Sequence, residues 1–273
     1  MPADGSRPAG DGAGRSTRGG RVAAGSGSGE VLLEVDGGVA VVTLNAPDRR
    51  NALTPGMARE LIGLFDEVDA RSDVGALVVK AVGRSFCAGG DIGTLTSAGK
   101  DPAEPAAYEG MSSIYDSFYR LGQVRVPTVA AVRGSAVGAG MNMLLATDLR
   151  IVARDARLLC GFLKRGMHPG GGHFVILSRL IGREAAAAMA IFGEEVDGTR
   201  AAELGLAWEA VDDDAVEDRA LELAARAAAD PELARVAVGN FRRETVNGAV
   251  SWEVASQFER PAQMWSMRRS AQG

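Results

Sequence analysis

The spacing of apolar residues changes period along this chain, and each change marks an element. Val31 to Val35 and Val39 to Leu44 are β-branched-rich runs joined by Asp36-Gly37-Gly38, which predicts a hairpin. Thr54 then offers a helix N-cap with Pro55 at the first helical position. Met57, Leu61, Leu64, Phe65 and Val68 follow at helical spacing and form one apolar face. Ala76 to Val82 reads as a buried strand, and Met111, Ile114, Tyr115, Phe118 and Leu121 mark a second amphipathic helix. Val129 to Val132 and Leu149 to Val152 are further short strands. Beyond Gly172 the pattern is helical, with Pro231 separating two late helices and Pro261 ending or kinking the last.

Strand and helix therefore alternate over the first two-thirds, which predicts an α/β core with right-handed crossovers. The organisation read from this pattern is a tail over 1–29, a core over 30–195 and a helical region over 196–273. No internal sequence repeat is visible. The tail is rich in Gly, Ser and Arg and nearly free of apolar side chains, so it cannot offset its ordering entropy and is expected to be disordered. A basic partner-binding arm is the alternative, weakened by the Gly and two aspartates that dilute its arginines.

Composition narrows the function. With 46% hydrophobic and 24% charged residues among 273, the chain suits one globular domain with an annex. A net charge of -5 argues against nucleic acid as a partner. No apolar run is long enough to cross a membrane. Two cysteines, Cys87 and Cys160, make no disulfide framework, and no secretory leader precedes them, so reduced thiols in a cytoplasm are expected.

The candidate chemistry lies in two Gly-rich segments, each after an expected strand: Phe86-Cys87-Ala88-Gly89-Gly90-Asp91-Ile92 and Gly134-Ser135-Ala136-Val137-Gly138-Ala139-Gly140-Met141-Asn142. Glycine lets backbone N–H groups approach a ligand closely. The second segment also opens a helix, whose N-terminus carries partial positive charge. Together the loops could aim two N–H donors at one oxygen, as an oxyanion hole; alone, each is equally a tight packing turn. Neither matches a dinucleotide or Walker fingerprint.

With Asn45-Ala-Pro-Asp-Arg-Arg-Asn51-Ala52-Leu53-Thr54, Ala146-Thr-Asp148, Gly166-Met-His-Pro-Gly-Gly-Gly172 and Leu180-Ile-Gly182, these segments resemble, in order, the enoyl-CoA hydratase/isomerase (crotonase) superfamily. The resemblance spans roughly residues 31 to 215. It implies the crotonase (ClpP/crotonase-like) α/β fold of repeated ββα units, with a helical C-terminal trimerisation region and assembly as a homotrimer or dimer of trimers. It implies an acyl-CoA thioester as ligand, with coenzyme A present only as part of the substrate and no permanently bound cofactor or metal. By position, the amides of Gly90 and Ala139 would hold the thioester oxygen. Ala88, Asp91 and Ile92 would line the adenine and pantetheine path, Arg50, Ala52 and Leu53 the entrance, and Gly138 and Phe162 the acyl site.

The family's two catalytic glutamates are absent. Asn142 stands at the first position and Phe162 at the second. Asn142 can orient a water but cannot take its proton, and Phe162 can do neither, so standard hydration is not expected; the isomerase variant of the family keeps the second Glu, so Phe162 weakens the isomerase reading too. His168 and His173, the only histidines, flank the Pro-Gly-Gly-Gly turn and are candidate acid–base groups; core or solvent roles beside a tight turn are the alternative. Tyr108 and Glu109 open the helix beside the acyl pocket, and Glu109 could reach in. Cys160 is a nucleophile or a buried structural thiol. Lys164 reads as a surface lysine, Asp148 as part of the fold and Asp91 as a loop-fixing acceptor. The chain ends without the family's Lys-Arg-x-Pro segment, so Arg268 or Arg269 either supplies cross-subunit contacts or is surface charge. The expected activity is thioester enolate chemistry: specialised hydration, isomerisation, decarboxylation or thioester hydrolysis. The competing reading is a non-catalytic acyl-CoA binder.

Overall fold

A computed structural model describes residues 28–245 and 251–272 of the chain; the expected tail lies almost wholly outside them. The first hairpin forms as expected. β1 (Val31–Asp36) and β2 (Val39–Leu44) pair antiparallel, Asp36 opposite Val39. Gly37 and Gly38, both at positive φ, make the two-residue turn whose twist matches that of the strands. Helix α1 (Pro55–Ala70) is capped by Thr54, whose hydroxyl accepts from the Met57 amide, and buries the expected face.

From there the chain spirals through two sheets. β3 (Ala76–Ala81) lies in the first and β4 (Ser85–Cys87) in the second, followed by α2 (Ile92–Lys100) and α3 (Pro105–Gly122). β5 (Thr128–Val132) returns to the first sheet and β6 (Ser135–Val137) to the second, followed by α4 (Ala139–Leu145). β7 (Leu149–Ala153) and β8 (Arg157–Leu159) repeat the pattern, followed by α5 (His173–Ala190). These are the ββα units, repeated in structure with no visible repeat in sequence.

The six-stranded sheet has order β1-β2-β3-β5-β7-β10 and the four-stranded sheet β4-β6-β8-β9, where β9 is Glu195–Asp197 and β10 is Glu209–Val211. This corrects the expectation of an all-helical region from residue 196. β10 pairs parallel with β7, and β9 pairs antiparallel with β8, so the core reaches well past that boundary. Three-residue strands carry too little period to show in sequence. α6 (Gly198–Glu203) links them, and α7 (Val216–Ala228) packs across β3, β5 and β7.

α8 (Pro231–Thr245) and α9 (Trp252–Gln272) complete the chain. Pro231 starts α8, as its place between two helices suggests. Pro261 does not end α9, which continues through it to Gln272. α8 is held to the core by Arg242, whose Nε donates to Asp148 Oδ1 at 2.9 Å while Asp148 Oδ2 accepts from the Thr128 amide and hydroxyl, both at 2.8 Å. Asp148 therefore belongs to the fold. Among the described residues no helix is long and apolar enough to cross a membrane.

Candidate active site

Three parallel strands of the smaller sheet end side by side: β4 at Cys87, β6 at Val137 and β8 at Leu159. The loops leaving them bring Ala88–Asp91, Gly138–Ala139 and Cys160–Phe162 to the wall of one cavity of about 400 Å³. Leu95, Met111, Ile114, Tyr115 and Met167 supply its apolar side chains, and Gln263 reaches it from α9.

Backbone geometry sets the donors. Leu53 bridges to Gly90: its amide donates to the Gly89 carbonyl at 2.7 Å, and its carbonyl accepts from the Asp91 amide at 2.9 Å. Successive amides of an extended segment face opposite sides. The Gly90 N–H thus faces away from Leu53, and Gly90 lines the cavity. Ala139 is the first residue of α4, where amides have no carbonyl partner within the helix, and it lines the same cavity. The two loops are pressed together at glycines. A Cβ on Gly89, which sits at φ +97°, would stand 2.8 Å from the Val137 carbonyl oxygen, and one on Gly140 would stand 2.2 Å from that of Cys87. Only glycine permits either approach.

The segment that carries Arg50 and Ala52 is fixed from behind. Asn51 is fully buried at φ 55°; its Oδ1 accepts from the Ala46 amide at 2.8 Å, and its Nδ2 donates to the Val82 and Ser85 carbonyls, both at 2.9 Å. Arg49 donates to Glu30 Oε2 at 2.6 Å, and this bond holds the Glu30 carboxyl below the usual carboxylate range. Neither role was read from the sequence. An Asn preceding Ala-Leu-Thr was the available signal for the first.

Asn142 is buried with both amide atoms engaged. Its Nδ2 donates to the Gly170 carbonyl at 2.9 Å, and its Oδ1 lies 2.6 Å from His173 Nδ1. Burial drives the His173 pKa down to about 3, so the ring is neutral. Because the Asn142 oxygen can only accept, the ring proton is on Nδ1. Phe162 stacks edge-on to His173 at 5.0 Å between ring centroids.

Several expected site residues fall elsewhere. Leu53 is fully buried and pins the Gly90 loop through its backbone instead of lining the cavity. His168 also stays off the cavity wall: its Nδ1 is 2.6 Å from the Pro169 carbonyl, and its ring packs edge-on against Phe174. Glu109 and Lys164 are exposed and off the wall. Tyr108 also stays off it and accepts from Arg260. Cys160 does line the cavity, but burial pushes its thiol up to about 12, which makes it a poor nucleophile. Asp91 lines the cavity and caps α2, its Oδ1 accepting from the Thr94 amide at 2.9 Å. Arg268 pairs with Asp101 on the surface, and the Arg269 side chain lies outside the described residues. Arg50, Ala52, Ala88, Ile92, Gly138 and Phe162 all line the cavity. Among the described residues no three His, Cys, Asp or Glu side chains cluster as a metal ion would need.

Comparison with known proteins identifies the fold and the family. A sequence profile described as Enoyl-CoA hydratase/isomerase matches residues 34–268. The chain belongs to the enoyl-CoA hydratase/isomerase family. Within it, a Mycobacterium tuberculosis protein named "Probable enoyl-CoA hydratase EchA14" is 41% identical over 224 residues, 82% of this chain and 85% of that one. The 1,2-epoxyphenylacetyl-CoA isomerase of Escherichia coli is 35% identical over 206 residues, 74% of this chain and 77% of that one. A crystal structure of an enoyl-CoA hydratase from Mycobacterium avium subsp. paratuberculosis superposes with a TM-score of 0.77. It covers 90% of this chain and 98% of that one at 23% identity, which speaks to the fold.

Proposed function

We propose that this family member binds an acyl-CoA thioester with its carbonyl oxygen between the amides of Gly90 and Ala139, and that it stabilises the enolate formed there. The observation that carries this reading is the Leu53–Gly90 bridge, which turns one amide toward the cavity beside the unpaired first turn of α4. Coenzyme A would pass Arg50, Ala52, Ala88, Asp91 and Ile92 at the mouth, and the acyl chain would enter among Met111, Ile114, Gly138 and Phe162. Removing the α-proton of a thioester puts negative charge on that oxygen, and two preorganised donors lower the barrier. Loss of one such donor typically costs about 2.7–4 kcal/mol.

Standard hydration does not fit. It requires a carboxylate to take a proton from water, and Asn142 and Phe162 stand where those carboxylates would be. Enolate chemistry without water activation fits better, as in decarboxylation, or in isomerisation by a group other than the second Glu that Phe162 replaces. The same reading takes the protein as a cytoplasmic homotrimer or dimer of trimers, with coenzyme A only as part of the substrate.

Incubation with saturated and unsaturated acyl-CoA thioesters in heavy water, read by mass spectrometry, tests this. Deuterium at the α-carbon, lost on Gly90→Pro, is the expected result. Tight binding without exchange or product would replace this reading with a non-catalytic acyl-CoA binder, which the Asn142 and Phe162 positions already favour over a hydratase.

A further inference from the structure

Enolate chemistry needs a group that takes a proton and returns it. Four side chains that line the cavity carry an ionisable O–H or S–H: Asp48, Asp91, Tyr115 and Cys160. Asp48 is exposed at the mouth, and Asp91 is committed to capping α2. The Cys160 thiol is held protonated by burial. Tyr115 differs from all three. It is 4% exposed and shares the cavity-facing side of α3 with Met111 and Ile114.

The hydroxyl sits beside the place the missing carboxylate would serve. A Cβ built on Gly170 would lie 2.4 Å from Tyr115 Oη and 2.2 Å from Gln263 Oε1. The carbonyl of that same Gly170 accepts from Asn142 Nδ2 at 2.9 Å. Tyr115, Gln263 and Asn142 thus converge on one backbone position, and the absent side chain of Gly170 leaves the space into which the phenol projects. Behind the ring stands Arg260, only 8% exposed, its guanidinium 5.2 Å from the Tyr115 centroid and 5.0 Å from that of Tyr108. Its Nη1 donates to Tyr108 Oη at 3.0 Å, which fixes the guanidinium. A buried guanidinium within about 6 Å of a ring centroid is attracted to the face of that ring, so Arg260 holds the Tyr115 ring in place. The nearby carboxylate, Asp116, is on the exposed side of α3 and also feels the Arg260 charge.

We infer that Tyr115 is the proton-transferring residue of this enzyme, with Arg260 as its positioning residue, and that it stands in for the missing second Glu in the family's known isomerase chemistry, double-bond migration in a β,γ-unsaturated acyl thioester. This rests on the proposed binding of the thioester oxygen by Gly90 and Ala139. The phenolate oxygen takes the α-proton: the C–H bond breaks, the O–H bond forms, and the electron pair moves to the thioester oxygen as a dienolate. The γ-carbon then takes the proton back. The O–H bond breaks, the new C–H bond forms, the double bond moves to the α,β position and the phenolate is regenerated. One group serves both steps, no water is activated, and no co-reactant is consumed.

The test uses the full-length protein with a β,γ-unsaturated acyl-CoA in heavy water, following conversion and deuterium incorporation. Tyr115→Phe, which removes one oxygen atom, is expected to lower kcat about 10²–10⁴-fold while leaving the Kd for a saturated acyl-CoA and the melting temperature near wild type. Arg260→Met should lower kcat with little change in KM, and Arg260→Lys should restore part of it. Replacing the three tyrosines with 3,5-difluorotyrosine should move the limb of the pH–rate profile to lower pH, which a structural tyrosine would not do. Wild-type rates in Tyr115→Phe, or an unmoved profile in the fluorinated enzyme, overturn the role of Tyr115 alone. A wild type that binds the thioester but neither exchanges nor converts it overturns both this inference and the enolate reading on which it rests.

Discussion

The Nδ1 of His173 lies 2.6 Å from the Oδ1 of Asn142, and this contact fixes what both residues can do. The histidine proton is spent on the amide oxygen, and the amide nitrogen is spent on Gly170. Asn142 is thereby a strut between α4 and the turn that precedes α5. Asn142→Ala removes the Asn142 partner of the Gly170 carbonyl and of the His173 ring N–H in the interior, at about 1–3 kcal/mol for each buried group. Urea denaturation is expected to show that loss. A change within about 0.5 kcal/mol, the usual range for an inert surface site, would remove the strut role.

His173 also makes stability depend on pH. Its folded pKa, lowered to about 3 by burial, lies below the ordinary histidine value, so the unfolded chain binds the extra proton first. The contribution is therefore complete above the unfolded pKa of about 6.5 and is lost as pH falls from there toward 3. Within that window the slope from this one group approaches about 1.4 kcal/mol per pH unit. Unfolding free energies measured from pH 7 to 4 should fall more steeply for wild type than for His173→Gln. Parallel curves for the two proteins would contradict the burial of a neutral ring.

Two glycine-to-alanine changes should have opposite signs. At Gly140 the new methyl would stand 2.2 Å from the Cys87 carbonyl oxygen, so the loops must part. The cost expected is about 1–3 kcal/mol of overpacking, with weaker acyl-CoA binding because Ala139 moves away from Gly90. At Gly63, exposed within α1 with nothing within 4 Å, alanine should stabilise by about 0.5–1 kcal/mol. Thermal melting of both variants, with calorimetry of acyl-CoA binding to the first, decides the matter. Unchanged binding in Gly140→Ala would mean that loop spacing does not set the site.

Restoring carboxylates tests the donors independently. The double variant Asn142→Glu with Phe162→Glu is expected to hydrate a short α,β-unsaturated acyl-CoA, seen as loss of the conjugated thioester absorbance, where the parent does not. If the variant folds and binds the thioester yet adds no water, the amides of Gly90 and Ala139 are not poised for the oxygen.

Much of the frame was legible because local chemistry and long-range structure agree in it. The Gly37-Gly38 turn, the Thr54-Pro55 helix start and the faces of α1 and α3 each follow from residues adjacent in sequence. None of the strands of the smaller sheet was legible, since Ser85–Cys87, Ser135–Val137, Arg157–Leu159 and Glu195–Asp197 hold three residues each and owe their form to their neighbours. α2 was missed because Gly93, Thr94, Thr96 and Gly99 are weak helix formers; packing against α9 sustains it. At the site, the loops could be read because glycines announce them. Tyr115 could not be distinguished from its apolar neighbours on α3, because what sets it apart is Gly170 and Gln263, distant in sequence. His168 and His173 looked equivalent, and only burial separates them.

The charge stabiliser proposed at the amides of Gly90 and Ala139 has no codon of its own. Any substitution other than proline leaves an N–H at each position, so such donors are inherited with the fold for as long as Gly89 and Gly140 keep the two loops pressed together. The groups that move protons have no such protection and can be lost or replaced one at a time. On that proposal, a lineage built on this frame can exchange one reaction for another without first losing its grip on a thioester.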